Sequence, residues 1–184
     1  MNTGLIPVRY ATALLDFASS QNEHDRVYAE AKLTALNFVQ FGGLRTVLDN
    51  PVLAKAEKRK IIINAAGGKL SQSFEKFLDL LLDNNREAFL QSIALKYIDL
   101  YRQQKNIHYG KLTTATTVDP VTEQKLMKLV ESQIGGTIEM EKIIDPEILG
   151  GFMFEVDFVR WDASLSGQLR RIKKEYIERN RKTV

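Results

Sequence analysis

The sequence lacks the side chains on which most catalytic and metal sites are built. It has no cysteine, which excludes disulfides, thiolate zinc sites and a cysteine nucleophile. Neither of its two histidines, His24 and His108, has an acid or a nucleophile at a recognisable spacing. Gly67-Gly68-Lys69 is followed by Leu70 and lacks the earlier glycine of a phosphate-binding loop, so it indicates a helix end. We therefore expect no enzymatic activity and no bound cofactor or metal.

Long apolar segments are also missing. No run of apolar residues approaches the roughly 20 residues that cross a bilayer. The segment from Met1 to Val8 has neither the basic and apolar regions of a signal peptide nor the Arg- and Ser-rich pattern of a transit peptide. We therefore expect the chain to reach a membrane only indirectly, through a partner.

Positive charge is concentrated at the C-terminal end. The net charge is +3, yet Ser164 to Val184 alone carries seven basic and two acidic residues, so the rest of the chain is slightly acidic. Such a segment could bind nucleic acid or an anionic membrane surface. Because acidic residues interrupt the charge and apolar residues share the helix, a solvated face or a site for an acidic protein is the simpler interpretation.

The first hundred residues show helical periodicity. Leu5 to Ser19 is apolar over most of its circumference, which predicts a helix that needs complete burial or a second partner. Gly42-Gly43 is expected to stop the second helix, and Ser71 to cap a later one on which Leu80 is surplus to the apolar stripe. Helices are predicted over 5–19, 26–40, 58–65, 72–83 and 90–101, as part of a bundle of about six.

The pattern changes near Asn106. Strands are predicted over 107–118, 138–144 and 152–158, with a helix beginning at Asp119-Pro120 and ending at Gly135-Gly136, and a last helix opened by Ser164. The predicted fold class is therefore α+β: a six-helix bundle over 1–105 and a small mixed β/α domain over 106–184. The last helix carries an apolar stripe that we expect to pack against the small sheet, formed by Leu165, Leu169, Ile172 and Tyr176.

Several short motifs occur in a characteristic order. They are Arg9-Tyr10-Ala11-x-Ala13-Leu14, Leu48-Asp49-Asn50-Pro51 followed by Lys58, Asn84-Asn85-Arg86, and Pro146 to Gly151 with Asp162-x-Ser164. Together they resemble the delta subunit of F-type ATP synthases, called the oligomycin-sensitivity-conferring protein in mitochondria. Its C-terminal signature would be Gly150, Gly151, Asp162 and Ser164. Val156 departs from the pattern, since many relatives have glycine there.

The resemblance implies a non-catalytic stator subunit of a proton-translocating ATP synthase, peripheral on the cytoplasmic face of a bacterial plasma membrane. The first and fifth helices would form a groove for the N-terminal helix of an alpha subunit, and the C-terminal domain would hold the b subunits of the peripheral stalk. We expect the isolated chain to be a monomer and to bind no nucleic acid. The alternative is a helical nucleic-acid-binding or adaptor protein that uses the basic tail. The groove residues would be Tyr10, Ala13, Leu14, Phe17, Phe77 and Leu80; those of the stalk-binding helix would be Leu165, Leu169, Arg170, Arg171, Ile172, Lys173, Lys174 and Tyr176.

Overall fold

A computed structural model describes residues 4–119, 122, 124, 125, 127, 128, 135–156 and 159–181. The chain divides into two compact units, Met1–Lys105 and Asn106–Val184. The first unit is helical, and the second combines a small sheet with a long helix. The α+β fold class predicted from the sequence is therefore confirmed.

The helices of the first unit largely follow the sequence pattern. Gly42-Gly43 does not stop the second helix, however. That helix ends at Gln40, where the Phe41 N–H donates to the Asn37 carbonyl at 2.8 Å, and Gly42 has right-handed helical angles that lead into an unpredicted short helix. The helices are α1 (Leu5–Ser20), α2 (His24–Gln40), α3 (Gly43–Asp49), α4 (Lys55–Ala65), α5 (Gln72–Asp83) and α6 (Leu90–Lys105), with a 3-10 turn at Glu87–Phe89.

The core of this unit lies around α6. Both α1 and α2 pack along α6, while α5 contacts α1 and α4. Tyr97 on α6 and Phe74 on α5 are among the largest side chains that are completely buried. This packing gives α1 and α5 a common support and leaves a strip of surface along the line where they meet.

Glu30 of α2 and Glu23, which immediately precedes α2, hold the beginning of α5. Glu30 accepts hydrogen bonds from the Ser71 N–H (2.6 Å) and hydroxyl (2.7 Å). Glu23 accepts from the Ser73 N–H (2.8 Å) and hydroxyl (2.6 Å). Ser71 caps α5 as predicted, accepting from the Phe74 N–H at 3.3 Å. Carboxylates on α2 and just before it therefore satisfy backbone donors that every helix leaves open at its first turn.

A buried ion pair joins three further elements. The Lys58 ammonium on α4 donates to Glu87 Oε1 at 2.6 Å and to the Leu48 carbonyl at 2.7 Å. Both charged residues are buried. Lys58 therefore links α4 to the end of α3 and to the 3-10 turn. These two bonds satisfy the ammonium, which explains how a lysine is accommodated at a buried position.

The second unit contains a four-stranded sheet in the order β2-β1-β3-β4. β1 pairs with β2 in parallel and with β3 in antiparallel, and β3 pairs in antiparallel with β4. Residues 157 and 158 of the predicted third strand lie outside the described residues, and β4 was not predicted as a separate strand. The elements are β1 (Ile107–Thr114), β2 (Thr137–Ile144), a 3-10 turn at Pro146–Ile148, β3 (Phe152–Val156), β4 (Val159–Asp162) and α7 (Leu165–Arg181).

One face of the sheet carries the small core of this unit. Phe154 stacks on Trp161 with ring centroids 5.7 Å apart. Val156 is buried in the same cluster, and a Cβ at Gly110 would lie 2.9 Å from Val156 Cγ2. Val156, the position at which the resemblance leads us to expect glycine, is therefore a core residue at the end of β3. It pairs with Gly110 of β1, where the missing side chain leaves space for the valine.

The predicted helix beginning at Asp119-Pro120 falls mostly outside the described residues. Asp119 Oδ2 accepts a hydrogen bond from the Thr122 N–H at 3.0 Å, as an N-cap does. Gly135 and Gly136, its predicted end, both have positive φ.

Candidate partner-binding surfaces

The six predicted groove residues lie on α1 and α5, which contact each other. Leu14 and Phe77 are buried, whereas Ala13 is exposed and Tyr10 is half-buried. Phe17 is 36% exposed and Leu80 is 53% exposed. The Tyr10 and Phe77 rings meet edge to face at 6.4 Å, so they link the two helices. We call this set of six residues the α1–α5 surface.

The α1–α5 surface combines a buried base with exposed apolar groups. Leu14 and Phe77 fill the junction between the helices and act as core residues, while the side chains beside them remain accessible to a partner. Lys76 lies with its ammonium 5.5 Å from the centre of the Phe17 ring, within range of a cation–π interaction. Lys76 was not predicted from the sequence as part of this surface, although it directly precedes Phe77 on α5.

The apolar stripe of α7 does not pack against the sheet, contrary to our expectation. Leu165, Leu169, Ile172 and Tyr176 are 48%, 57%, 62% and 67% exposed. The main contact of α7 within its unit is with the 3-10 turn at Pro146–Ile148, and the sheet core is completed instead by side chains such as Trp161. We call these four residues the α7 stripe.

The basic side chains of α7 are exposed as well. Arg170, Arg171, Lys173 and Lys174 all lie at the surface, and the Lys174 ammonium lies 4.0 Å from Glu178 Oε1. The helix therefore presents both an apolar face and cationic faces to solvent. Such a helix can bury its stripe on an apolar partner while its charges attract acidic groups around it.

The signature residues build the start of α7 rather than a chemical site. A Cβ at Gly151 would lie 2.2 Å from the Ala163 carbonyl oxygen, so only glycine fits there. Asp162 Oδ1 accepts hydrogen bonds from the Ser164 N–H (3.0 Å) and hydroxyl (2.5 Å). These bonds, above all the one from the hydroxyl, lower the pKa of Asp162. Ser164 Oγ in turn accepts from the Gly167 N–H at 3.0 Å, as an N-cap does.

The described part of the chain shows no group of three or more histidine, aspartate or glutamate residues able to hold a metal ion. In the same residues, no helix has both the length and the apolar character needed to cross a membrane.

Comparison with known proteins gives consistent matches. The family model for the ATP synthase delta (OSCP) subunit matches residues 6–176. Proteins described as ATP synthase subunit delta from Phocaeicola vulgatus and Bacteroides thetaiotaomicron are 44% and 40% identical, each over the whole of both chains. One from Prochlorococcus marinus is 35% identical over 94% of each chain.

A solved structure has the same fold. A chain in the cryo-EM structure of the Toxoplasma gondii mitochondrial ATP synthase hexamer superposes with a TM-score of 0.67, covering 93% of this chain and 97% of that chain at 18% identity. With the family model and the full-length relatives, the chain belongs to the ATP synthase delta (OSCP) subunit family and is a non-catalytic stator subunit that works with other subunits of the synthase.

Proposed function

We propose that the Met1–Lys105 unit binds the N-terminal helix of an alpha subunit along the α1–α5 surface, and that the Asn106–Val184 unit binds the b subunits of the peripheral stalk through α7. The chain would then hold the catalytic head to the stalk while the rotor applies torque during ATP synthesis. This task requires tight binding and slow dissociation at two separate sites. It requires no catalytic group.

The observation that carries the first part of the proposal is the incomplete burial of α1. This helix buries four residues against the bundle: Ala11, Leu14, Leu15 and Ala18. Phe17 of the same helix and Leu80 of neighbouring α5 stay exposed. An amphipathic helix laid along this line would cover these apolar groups, and buried aromatic and aliphatic anchors supply most of the energy of such contacts. The edge-to-face contact between Tyr10 of α1 and Phe77 of α5 links the two helices that form the surface.

The second part rests on the exposure of the α7 stripe. Four apolar side chains at spacings of four, three and four residues form one helical face, which is the pattern used for helix–helix pairing. The surrounding basic residues favour a partner helix with acidic flanks. Through these partners the chain would lie at the cytoplasmic face of the bacterial plasma membrane as a peripheral component of the synthase.

Ala13→Asp tests the alpha-subunit site. Ala13 is exposed in the free chain, so an aspartate there stays hydrated, and its cost in folding is limited to the helix propensity difference of about 0.5 kcal/mol. In the complex the carboxylate would be buried without a partner, at a cost of several kcal/mol. We expect calorimetry with an alpha N-terminal peptide to show at least about a 30-fold loss of affinity, which corresponds to about 2 kcal/mol.

Ala29→Asp is the matched control, because Ala29 is an exposed alanine within α2. It should lower the free energy of unfolding by a similar small amount and leave peptide affinity unchanged. If Ala13→Asp weakened binding no more than Ala29→Asp, or cost as much folding energy as binding energy, the α1–α5 surface would not be the alpha-subunit site.

A further inference from the structure

Leu149 combines two unfavourable features. It is 63% exposed, and its backbone is left-handed, with φ +65° and ψ −19°. In the described part of the chain, the other non-glycine residues with positive φ are Asn22, Asn85 and Asn106. Asparagine tolerates this conformation through its short polar side chain, whereas the Cβ of an ordinary L-residue crowds the following carbonyl. At position 149 the chain therefore carries a leucine where asparagine or glycine would suit folding better.

The backbone around Leu149 is tied to the beginning of α7. The Leu149 N–H donates to the Pro146 carbonyl at 3.0 Å, and the Leu165 N–H donates to the Gly150 carbonyl at 3.0 Å. A Cβ at Gly150 would lie 2.8 Å from Leu165 Cδ1. Leu149 is thus adjacent in sequence to the glycine that packs against the first residue of the α7 stripe.

We propose that Leu149 is the N-terminal anchor of the stalk-binding surface and contacts the same b-subunit helix as the α7 stripe. The inference rests on the proposed function of α7. Backbone strain persists where surrounding structure imposes it and is concentrated at functional sites. Here the Gly150–Leu165 contact and the two backbone hydrogen bonds impose it. The gain is an exposed apolar group one residue from the Gly150–Leu165 contact, available to an amphipathic helix whose acidic flanks would face the basic side chains of α7.

Leu149→Asn in the full chain separates binding from folding. Asparagine relieves the backbone strain, so the free energy of unfolding in urea should stay unchanged or rise. Affinity for the purified soluble portion of the b subunit, measured by calorimetry, should fall roughly tenfold, equivalent to about 1.4 kcal/mol. An unchanged affinity, or a loss of folding stability as large as the loss of binding, would overturn the inference.

Two further variants distinguish a failure of the Leu149 inference from a failure of the proposed function of α7. Leu169→Asn removes a central residue of the stripe and should weaken b binding, whereas Val52→Asn changes an 88% exposed residue of the other unit and should not. If Leu169→Asn weakens binding and Leu149→Asn does not, the α7 stripe binds the b subunit and Leu149 does not belong to the binding surface. If neither does, the stalk site on α7 itself fails. If the wild-type chain dimerises in sedimentation runs and Leu149→Asn abolishes this, the occupant is a second copy and the inference is wrong.

Discussion

The two units of this chain expose apolar groups in different ways. In the Met1–Lys105 unit, the α1–α5 surface lies on two helices that each bury one face in the bundle, and Phe77 and Leu14 connect it directly to the core. In the Asn106–Val184 unit, α7 exposes its whole apolar stripe. The first surface is therefore preformed by the bundle, while the apolar residues of α7 are exposed along the helix.

This difference has an energetic consequence. Because α1 and α5 are already ordered by the core, a helix that binds there loses little of its energy to ordering the surface. The α7 stripe contributes little to the stability of the free chain, since roughly half or more of the surface of each of its residues stays exposed to water. We therefore expect changes in the bundle to affect folding and binding together unless they are confined to exposed atoms, and changes in α7 to affect binding alone.

Removing Leu169 to Val184 should have the largest effect. The truncated chain loses three of the four residues of the α7 stripe together with its basic groups. Stalk binding should be abolished in pull-downs with a soluble b fragment. Unfolding of the remaining chain in urea should hardly change, because the deleted stripe is exposed. Binding to an alpha N-terminal peptide should stay at the wild-type level. If truncation spared b binding, or removed alpha binding instead, the assignment of one partner to each unit would be wrong.

Loss of Lys58 should be the most damaging single change to folding. Lys58→Ala leaves the buried Glu87 carboxylate without its counter-ion, and breaking a buried pair in this way costs about 3–5 kcal/mol. Urea unfolding followed by circular dichroism measures this loss. Arg160→Ala is the matched variant in the other unit: it removes the exposed Arg160–Glu155 pair, in which the nitrogen and oxygen lie 3.2 Å apart, and should cost less than about 1 kcal/mol.

A second replacement tests the reason given for that cost. Changing Lys58 to Met and Glu87 to Leu together removes both charges, so no unpaired charge remains in the core. The double variant should recover much of the stability lost in Lys58→Ala. An equal loss in the single and double variants would mean that the unpaired Glu87 charge is not the cause, and would point instead to the Leu48 carbonyl, which loses its donor in both.

Local signals in the sequence were enough to predict most of the elements. The Ser71 and Ser164 caps, the glycines after Ala65 and the strand beginning after Asn106 all depend on interactions between residues close in sequence. The motif resemblance added the order of those signals, and it was confirmed by relatives matching along the full length. The glycine pair at 42–43 was predicted to stop α2 but lies at the beginning of α3. The same residues that end one helix can also start another.

What could not be predicted depends on contacts between distant residues. Glu30 meets Ser71 and Lys58 meets Glu87 only after the helices have packed, and nothing in the local pattern pairs them. The α7 stripe shows a second reason. An apolar face that binds a partner has the same spacing as one that packs on the chain's own core, so periodicity predicted that Leu165 and Tyr176 would pack against the sheet, whereas both are exposed.

A smaller effect should appear when Glu23, which accepts hydrogen bonds from the first turn of α5, is titrated. Hydrogen bonds from Ser73, first that of its hydroxyl, lower the pKa of Glu23 below its usual value. A carboxyl with a lowered pKa stabilises the fold when ionised, and this contribution is lost as the pH falls through the folded-state pKa. Glu23→Gln should therefore cost about 1 kcal/mol near neutral pH, and the difference from wild type should shrink as the pH falls below the ordinary range of a glutamate.

Glu30 should respond with the opposite sign. Burial raises the pKa of Glu30, and its bonds with Ser71 offset this only in part. A raised pKa means that the folded chain takes up a proton more readily than the unfolded chain, so this group favours folding as the pH falls. Urea unfolding of wild type, Glu23→Gln and Glu30→Gln between about pH 7 and pH 3 separates the two. Parallel curves for all three proteins would show that neither carboxylate titrates as proposed.

The smallest effect should come from the charges of α7. Reversing Arg170, Arg171, Lys173 and Lys174 leaves the apolar stripe intact, so the complex with the b subunit should still form. Its association should be slower at low salt, because the basic surface no longer attracts acidic groups, and the difference should fade once salt screens exposed charges. Stopped-flow association rates at several salt concentrations measure this effect, and dissociation rates should change little.

A smaller pair of variants controls for net charge. Reversing Lys173 and Lys174 changes the total charge as much as reversing Lys60 and Lys69, which are exposed residues of the other unit. Only the first pair should slow b association, since steering depends on charges close to the contact. Equal slowing by both pairs would mean that overall charge, and not the face of α7, guides the encounter. A large rise in dissociation rate for the first pair would instead place those lysines inside the contact, and the division of α7 into an apolar binding face and cationic steering faces would have to be abandoned.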